Sequence, residues 1–124
     1  MNDFSFSVKL DVTTDGSGDG VGTGTKPVNA LLYKIVWVDG DLANSHTAVL
    51  TALRPDSAVT ETLWSTTAGD TDNDASFYPR VAETDAAADA TSTYGLILVT
   101  GIPVITVAAG GDTKSGSCIL YFVS

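Results

Sequence analysis

The sequence predicts an all-β fold: a single antiparallel β-sandwich or jelly-roll-like domain of about seven or eight strands with long loops. Three observations point there. From Phe4 to Val12 the residues alternate without a break, with Phe4, Phe6, Val8, Leu10 and Val12 apolar and Ser5, Ser7, Lys9 and Asp11 polar. A period of two is that of a strand with one dry and one wet face. Turn signals rich in Gly, Pro and Asp then recur at short intervals, and the connections are too short for helical crossovers, so the strands pair antiparallel. At 124 residues the chain, 1–124, makes one domain with room for a core of its own.

After the first strand comes a Gly-rich loop, 15–26, in which five of the ten residues Asp15–Gly24 are glycine. It reads either as a loop or as a short edge strand, since Val21, Thr23 and Thr25 alternate with small residues. It is not a phosphate cradle, because no Gly-Lys-Ser/Thr ending and no helical run follow it. Ala30–Val38 is the strongest strand. Leu31, Tyr33, Ile35 and Trp37 are expected on one face, and Leu32, Val36 and Val38 on the other, with Lys34 the polar exception. A strand apolar on both faces is buried on both, or buries one face in a core and the other in a partner. Thr47–Leu53 and Ala58–Trp64 form a hairpin around the turn Arg54-Pro55-Asp56-Ser57, which has Pro at its second position.

Residues 65–93 form an acidic arm of Ala, Thr, Ser and Asp, with six acids against the single base Arg80. Phe77 and Tyr78 are its only large apolar side chains, which is the profile of an interface anchor or of a cap on the protein's own core. Tyr94–Thr100, Ile102–Ala108 and Ser117–Val123 return to sheet, with Pro103 expected at an edge or bend and Gly110–Gly116 as a turn.

The formal net charge is −9, from 15 acids against 6 Lys and Arg. Lys9, Lys26, Lys34, Arg54, Arg80 and Lys114 are scattered singly, which excludes the clustered cations of nucleic-acid binding or of an anionic membrane surface. The single cysteine, Cys118, rules out an intrachain disulfide and reads as a buried structural thiol. Met-Asn-Asp-Phe lacks the start of a signal peptide, and no apolar run approaches the length of about 20 residues needed to span a membrane.

Chemistry-bearing constellations are incomplete. Asp70-x-Asp72-x-Asp74 has the opening spacing of a calcium loop, but Ala75 stands where its glycine belongs and Val81 where its glutamate belongs. The expected metal set is therefore empty, with Asp70, Asp72 and Asp74 its only weak candidates, and no cofactor is expected. His46, the one histidine, has neither a second His nor a thiol nucleophile beside it and reads as a surface-loop residue. Asp39 and Asp41 flank Gly40 and have the residue types of a glycosidase pair, but Asp is an ordinary turn residue at a strand end. Trp37 and Trp64, with Tyr33 and Tyr78, offer either a sugar platform or core and interface packing.

Four stretches share the style of one family: the Gly/Thr lead Gly16–Thr25, the block Ala30–Gly40, the segment Asp72–Arg80 and the tail Gly110–Ile119. Through them the chain resembles the small β-sandwich structural proteins of tailed bacteriophage virions, in particular head decoration or cement proteins. The resemblance implies no catalytic residues and no enzyme activity. It implies a chain made in the host cytoplasm and placed on the capsid outer surface of the virion. It also implies the major capsid protein as partner, and a homo-oligomer, dimer or trimer, with neither nucleic acid nor membrane bound. On that reading the interface candidates are Phe77, Tyr78, Trp37 and Tyr33. Contacts are expected from the residues before Phe6, from Gly16–Thr25 and from the arm, because the sandwich faces are expected to be consumed by the core. The alternative is a virion or secreted β-sandwich module recognising host-surface glycan, with or without Ca²⁺ on Asp70, Asp72 and Asp74.

Overall fold

In a computed structural model, residues 5–43, 45–53, 60–66, 75–84 and 90–123 are described. They form an all-β sandwich. Ten strands follow in order among the described residues: β1 (Ser5–Thr13), β2 (Gly20–Thr23), β3 (Val28–Val38), β4 (Thr47–Leu53), β5 (Thr60–Thr66), β6 (Ala75–Phe77), β7 (Val81–Thr84), β8 (Ala90–Gly95), β9 (Ile97–Ala108) and β10 (Ser115–Val123). All pairings are antiparallel. No described helix is long and apolar enough to cross a membrane.

One layer runs β1-β10-β3, with β6 on the end of β3. The other runs β2-β9-β4-β5. The strand β9 belongs to both. Its first residues, Ile97–Gly101, pair with β3, and Ile102–Ala108 pair with β4. The crossing falls at Gly101, whose φ of 125° only glycine adopts readily. Tyr94–Thr100 and Ile102–Ala108 therefore divide differently from expectation: the break falls after Gly95, and Ile97–Ala108 is one bent strand. Pro103 is tolerated where the ladder with β2 ends, its carbonyl accepting the Gly24 N–H at 2.8 Å while its missing donor is not needed by a further strand residue.

The alternation of β1 holds from Ser5 onward, and Phe4 lies outside the described residues. Leu10 and Val12 are buried, Phe6 stacks on Phe122 at 5.1 Å, and Ser5, Ser7, Lys9, Asp11 and Thr13 point outward. The core lies between the layers: Leu32, Ile35, Trp37, Leu120 and Phe122 from one side, Leu50, Ile105 and Val107 from the other. The Gly-rich stretch has a definite role. It holds the edge strand β2, whose glycines face β1 at the seam between the layers. A Cβ on Gly20 would stand 2.7 Å from the Thr13 carbonyl oxygen, and one on Gly22 would strike that of Asp11. The alternate glycines let two sheet edges approach where side chains would hold them apart.

Two expectations change. The faces of β3 are not those of a regular strand, because the register slips opposite Tyr121 and Phe122. Leu32 faces Phe122 and Lys34 faces Tyr121, so Tyr33 is the extra residue of a β-bulge. The bulge inverts the alternation: Ala30 and Leu32 point inward before it, Ile35 and Trp37 after it, while Leu31, Val36 and Val38 face out. The acidic arm is also more structured than a loop, since it contains β6, β7 and β8. Asp70, Asp72 and Asp74 lie outside the described residues.

Candidate functional site

The bulge in β3 builds the most distinctive surface of the molecule. It turns Tyr33 and Lys34 together onto the outer face of the β1-β10-β3 layer, beside Tyr121 of β10. The Tyr33 and Tyr121 rings lie 6.2 Å apart, tilted at 54°. Beside them is a shallow depression of about 290 Å³ lined by Ser5, Phe6, Ser7, Tyr33 and Tyr121. The Lys34 ammonium sits 5.6 Å from the centre of the Tyr121 ring and 5.8 Å from that of Tyr78. Both are within cation–π range. Tyr78, just after β6, is 58% exposed. Arg80 completes the rim: its Nη1 donates to the Tyr33 carbonyl at 3.0 Å and to the Pro79 carbonyl at 2.7 Å. Three tyrosines, two serines and two cations thus converge from β1, β3, β10 and the segment after β6.

The expected site residues separate. Tyr33 and Tyr78 meet on this surface. Phe77 does not join them: it pairs with Ile35 and packs on Trp64 with ring centres 4.9 Å apart, so it caps the core. Trp37 is wholly buried, 6.3 Å from Trp64, and is not available to a partner or a sugar. The bulge explains this, because it puts Trp37 on the inner side of β3. His46 is likewise buried rather than on the surface. Its Nδ1 lies 2.6 Å from the Ala43 carbonyl and 3.6 Å from the Asp39 carboxylate, and its ring lies against Trp37 at 5.6 Å. Nδ1 therefore carries a proton and donates to that carbonyl. The Asp41 carboxylate accepts the Ser115 N–H at 2.7 Å. Asp39 and Asp41 thus serve a turn in different directions, and no glycosidase pair forms.

Tyr121 went unnoticed in the sequence because it sits inside an unbroken apolar run. The usable signal was its parity with Ile119 and Val123, which places it opposite Lys34 and Ser7. Of the cations scattered in sequence, Lys9 and Lys34 both point out of this layer and Arg80 donates to the Tyr33 carbonyl at its border. Among the described residues, no group of three His, Cys, Asp or Glu side chains is arranged to hold a metal. A larger depression of about 460 Å³ at the seam includes Asp15, Asp19 and Val21 but no aromatic ring. There the Asp15 carboxylate accepts the Ser17 N–H at 2.8 Å and that of Asp19 at 3.2 Å, which holds its pKa below the ordinary value. Cys118 is inert, its thiol pushed up to about 12 by burial.

No protein-family model and no curated protein sequence matches this chain. Solved structures do match in fold. A family 29 carbohydrate-binding module complexed with cellulohexaose is 7% identical, with 98% of this chain and 79% of that one covered and a TM-score of 0.52. A second structure of a family 29 module is 7% identical over 98% of this chain and 77% of the other, with a TM-score of 0.52. A charge-altered mutant of such a module is 8% identical, covering 98% and 79% of the two chains, with a TM-score of 0.50. Identity this low speaks to the β-sandwich fold.

Proposed function

We propose that this protein is a non-catalytic binding module that takes a glycan on the outer face of the β1-β10-β3 layer. The observation that carries the reading is the cluster of Tyr33, Tyr121 and Tyr78 around a shallow, serine-lined depression. Sugar rings offer C–H faces to aromatic rings and hydroxyls to polar rims. Tyrosine, with an apolar body and a hydroxyl tip, meets both demands. The fold shared with carbohydrate-binding modules supports the same reading. An open site of this kind gives modest affinity, with Kd in the range of about 1 μM to 1 mM. Electrophoresis through gels containing hydroxyethyl cellulose, xylan or mannan tests it. Retardation by at least one polymer, lost in Tyr121→Ala and reduced in Tyr78→Ala, is the expected result. Equal mobility in every gel would overturn the reading.

A second reading is attachment to a protein shell, as in capsid decoration with the major capsid protein as partner. It is favoured by the apolar residues that continue the tyrosine face: Leu98, 56% exposed, aligned across β9, β3 and β10 with Leu31 and Val123. On that reading the protein sediments with purified phage heads, and Leu98→Asp releases it.

A further inference from the structure

Among the described residues, the two cations at the tyrosine cluster have no carboxylate partner. Among the described residues, Lys34 and Arg80 make no ion pair, whereas Lys9 on the same face lies 3.5 Å from Asp11. Of the outward-facing residues of β1, β3, β6 and β10, Asp11 alone is acidic, and it is further engaged by the Ser117 hydroxyl at 2.8 Å. Lys34 is held between two tyrosine rings. Arg80 is held at the carbonyl of the residue before Lys34 through Nη1, leaving its Nε and Nη2 donors for other acceptors. Both positive groups are thus fixed beside the aromatic rings in a molecule that is negative overall.

We infer that the ligand of this site is an anionic polysaccharide, its carboxylate or sulfate groups held by Lys34 and Arg80 while its sugar rings lie on Tyr33, Tyr121 and Tyr78. This inference rests on the glycan reading and adds the ligand's charge to it. An anion here faces two cations at short range. Six of the 15 acids lie in 65–93, the segment that also carries Tyr78 and Arg80, and charges farther than about 10 Å from the site are screened by ordinary salt. Contacts of this exposed kind contribute about two- to fivefold each in affinity and decline with ionic strength.

Titration calorimetry with four polymers tests the inference: polygalacturonate for carboxylates, chondroitin sulfate for sulfates, hydroxyethyl cellulose as neutral glycan and poly-glutamate as an acidic chain without sugar. Polygalacturonate or chondroitin sulfate should bind about fivefold or more tighter than hydroxyethyl cellulose in low salt, and the better of the two identifies the anion. Lys34→Met, which keeps the aliphatic stem, should lower that preference two- to fivefold by weakening the anionic polymer more than hydroxyethyl cellulose; Lys34→Arg should retain it. Tyr121→Ala should weaken both classes. A wild-type protein that binds neutral and anionic glycans equally would overturn the inference and leave the glycan reading standing. So would a preference unchanged in Lys34→Met. Binding of poly-glutamate as tight as that of the sugars would replace the glycan with an acidic protein segment. Binding of none of the four would overturn this inference, and the reading beneath it falls too if xylan and mannan also leave mobility unchanged in the gels. Melting curves of each variant establish that the fold is retained.

Discussion

The two outer faces of the sandwich are made from the same kind of strand and have opposite chemistry. The β1-β10-β3 face carries Tyr33, Tyr121, Lys34 and Lys9, with Tyr78 and Arg80 at its border. Across the β2-β9-β4-β5 face, one row reads Thr23, Val104, Thr51 and Thr62, and the next reads Val21, Thr106, Val49 and Ser65. Neither row holds a charge or an aromatic ring. Both faces satisfy the sheet's need for residues that fit a pleated surface. Only the first adds groups that β-structure does not require. Tyrosines suit a strand, but tyrosines and lysines gathered on one face give it a chemistry the other lacks, and the proposed glycan site is placed there. The Thr/Val rows are what a strand face looks like when the fold alone sets its composition.

The largest effect that would test this contrast acts on the seam that makes both faces parts of one body. Replacing Gly22 by Val puts a branched side chain against the Asp11 carbonyl and within 3.0 Å of the Ile105 side chain. The backbone cannot move aside without parting β2 from β1. We expect a loss of about 3 kcal/mol or more, or roughly 10 °C in Tm, and loss of binding with it. A Gly22→Val protein that melts normally would mean that the two edges are not in close register and that the faces are less rigidly joined.

Next in size is the division between the faces themselves. Tyr121→Ala should weaken glycan binding about tenfold or more, as truncating a central aromatic contact does. Its Tm should fall only slightly, because Tyr121 faces out while Leu120 and Phe122 beside it carry the packing. The reverse pattern, intact binding with a large drop in Tm, would make Tyr121 a structural residue and dissolve the contrast.

How much of this was legible depended on contrast between neighbouring residues. In β1, apolar and polar residues alternate strictly, and the expected Phe4–Val12 lies within one residue of the observed Ser5–Thr13. In β10, Cys118–Val123 is apolar throughout, so period two was hidden and Tyr121 was lost in the run. In β3, a single bulged residue, Tyr33, shifted every later side chain to the other face. No local signal announces such an insertion, because the slip is defined by the partner strand. That is why Trp37 looked like an interface candidate and is in the core. His46 was misplaced for a related reason: what buries it is Trp37, adjacent in space and nine positions away in the chain. β6, β7 and β8 lie in a stretch of Ala, Thr, Ser and Asp with too little hydrophobic contrast to show a period.

A smaller effect distinguishes the faces by pH. Asp11 is the acid of the tyrosine face, and its pKa lies below the ordinary 3.8, first because the Ser117 hydroxyl donates to it and then because of Lys9. A depressed carboxylate contributes stability above the unfolded-state value, and that contribution is lost as pH falls through the lower folded value. Asp11→Asn should therefore leave Tm at neutral pH nearly unchanged and flatten its decline below pH 3.8. Anionic glycan should also bind this variant somewhat better, since the one carboxylate among the face's described residues is gone. A steeper acid decline in the variant would reverse the sign and show that Asp11 repels more than it pairs.

The smallest expected effect is on the Thr/Val face. Thr106 is exposed in the centre of the second row, between Val21 and Val49, and an outward threonine there contacts only its cross-strand neighbours. Thr106→Lys exchanges a β-branched residue for a flexible one. That costs a few tenths of a kcal/mol in strand preference, within the roughly 0.5 kcal/mol that surface substitutions usually span. Calorimetric affinity for every glycan should match wild type, because the charge is added on the far side of the sandwich from Tyr121. Light scattering should also be unchanged. If Thr106→Lys instead reduced the molecular mass measured by light scattering, the uncharged rows would be a contact between copies, and the distinction between a recognising face and a merely folded one would fail on that side. Unchanged mass and affinity would assign recognition to the tyrosine face alone.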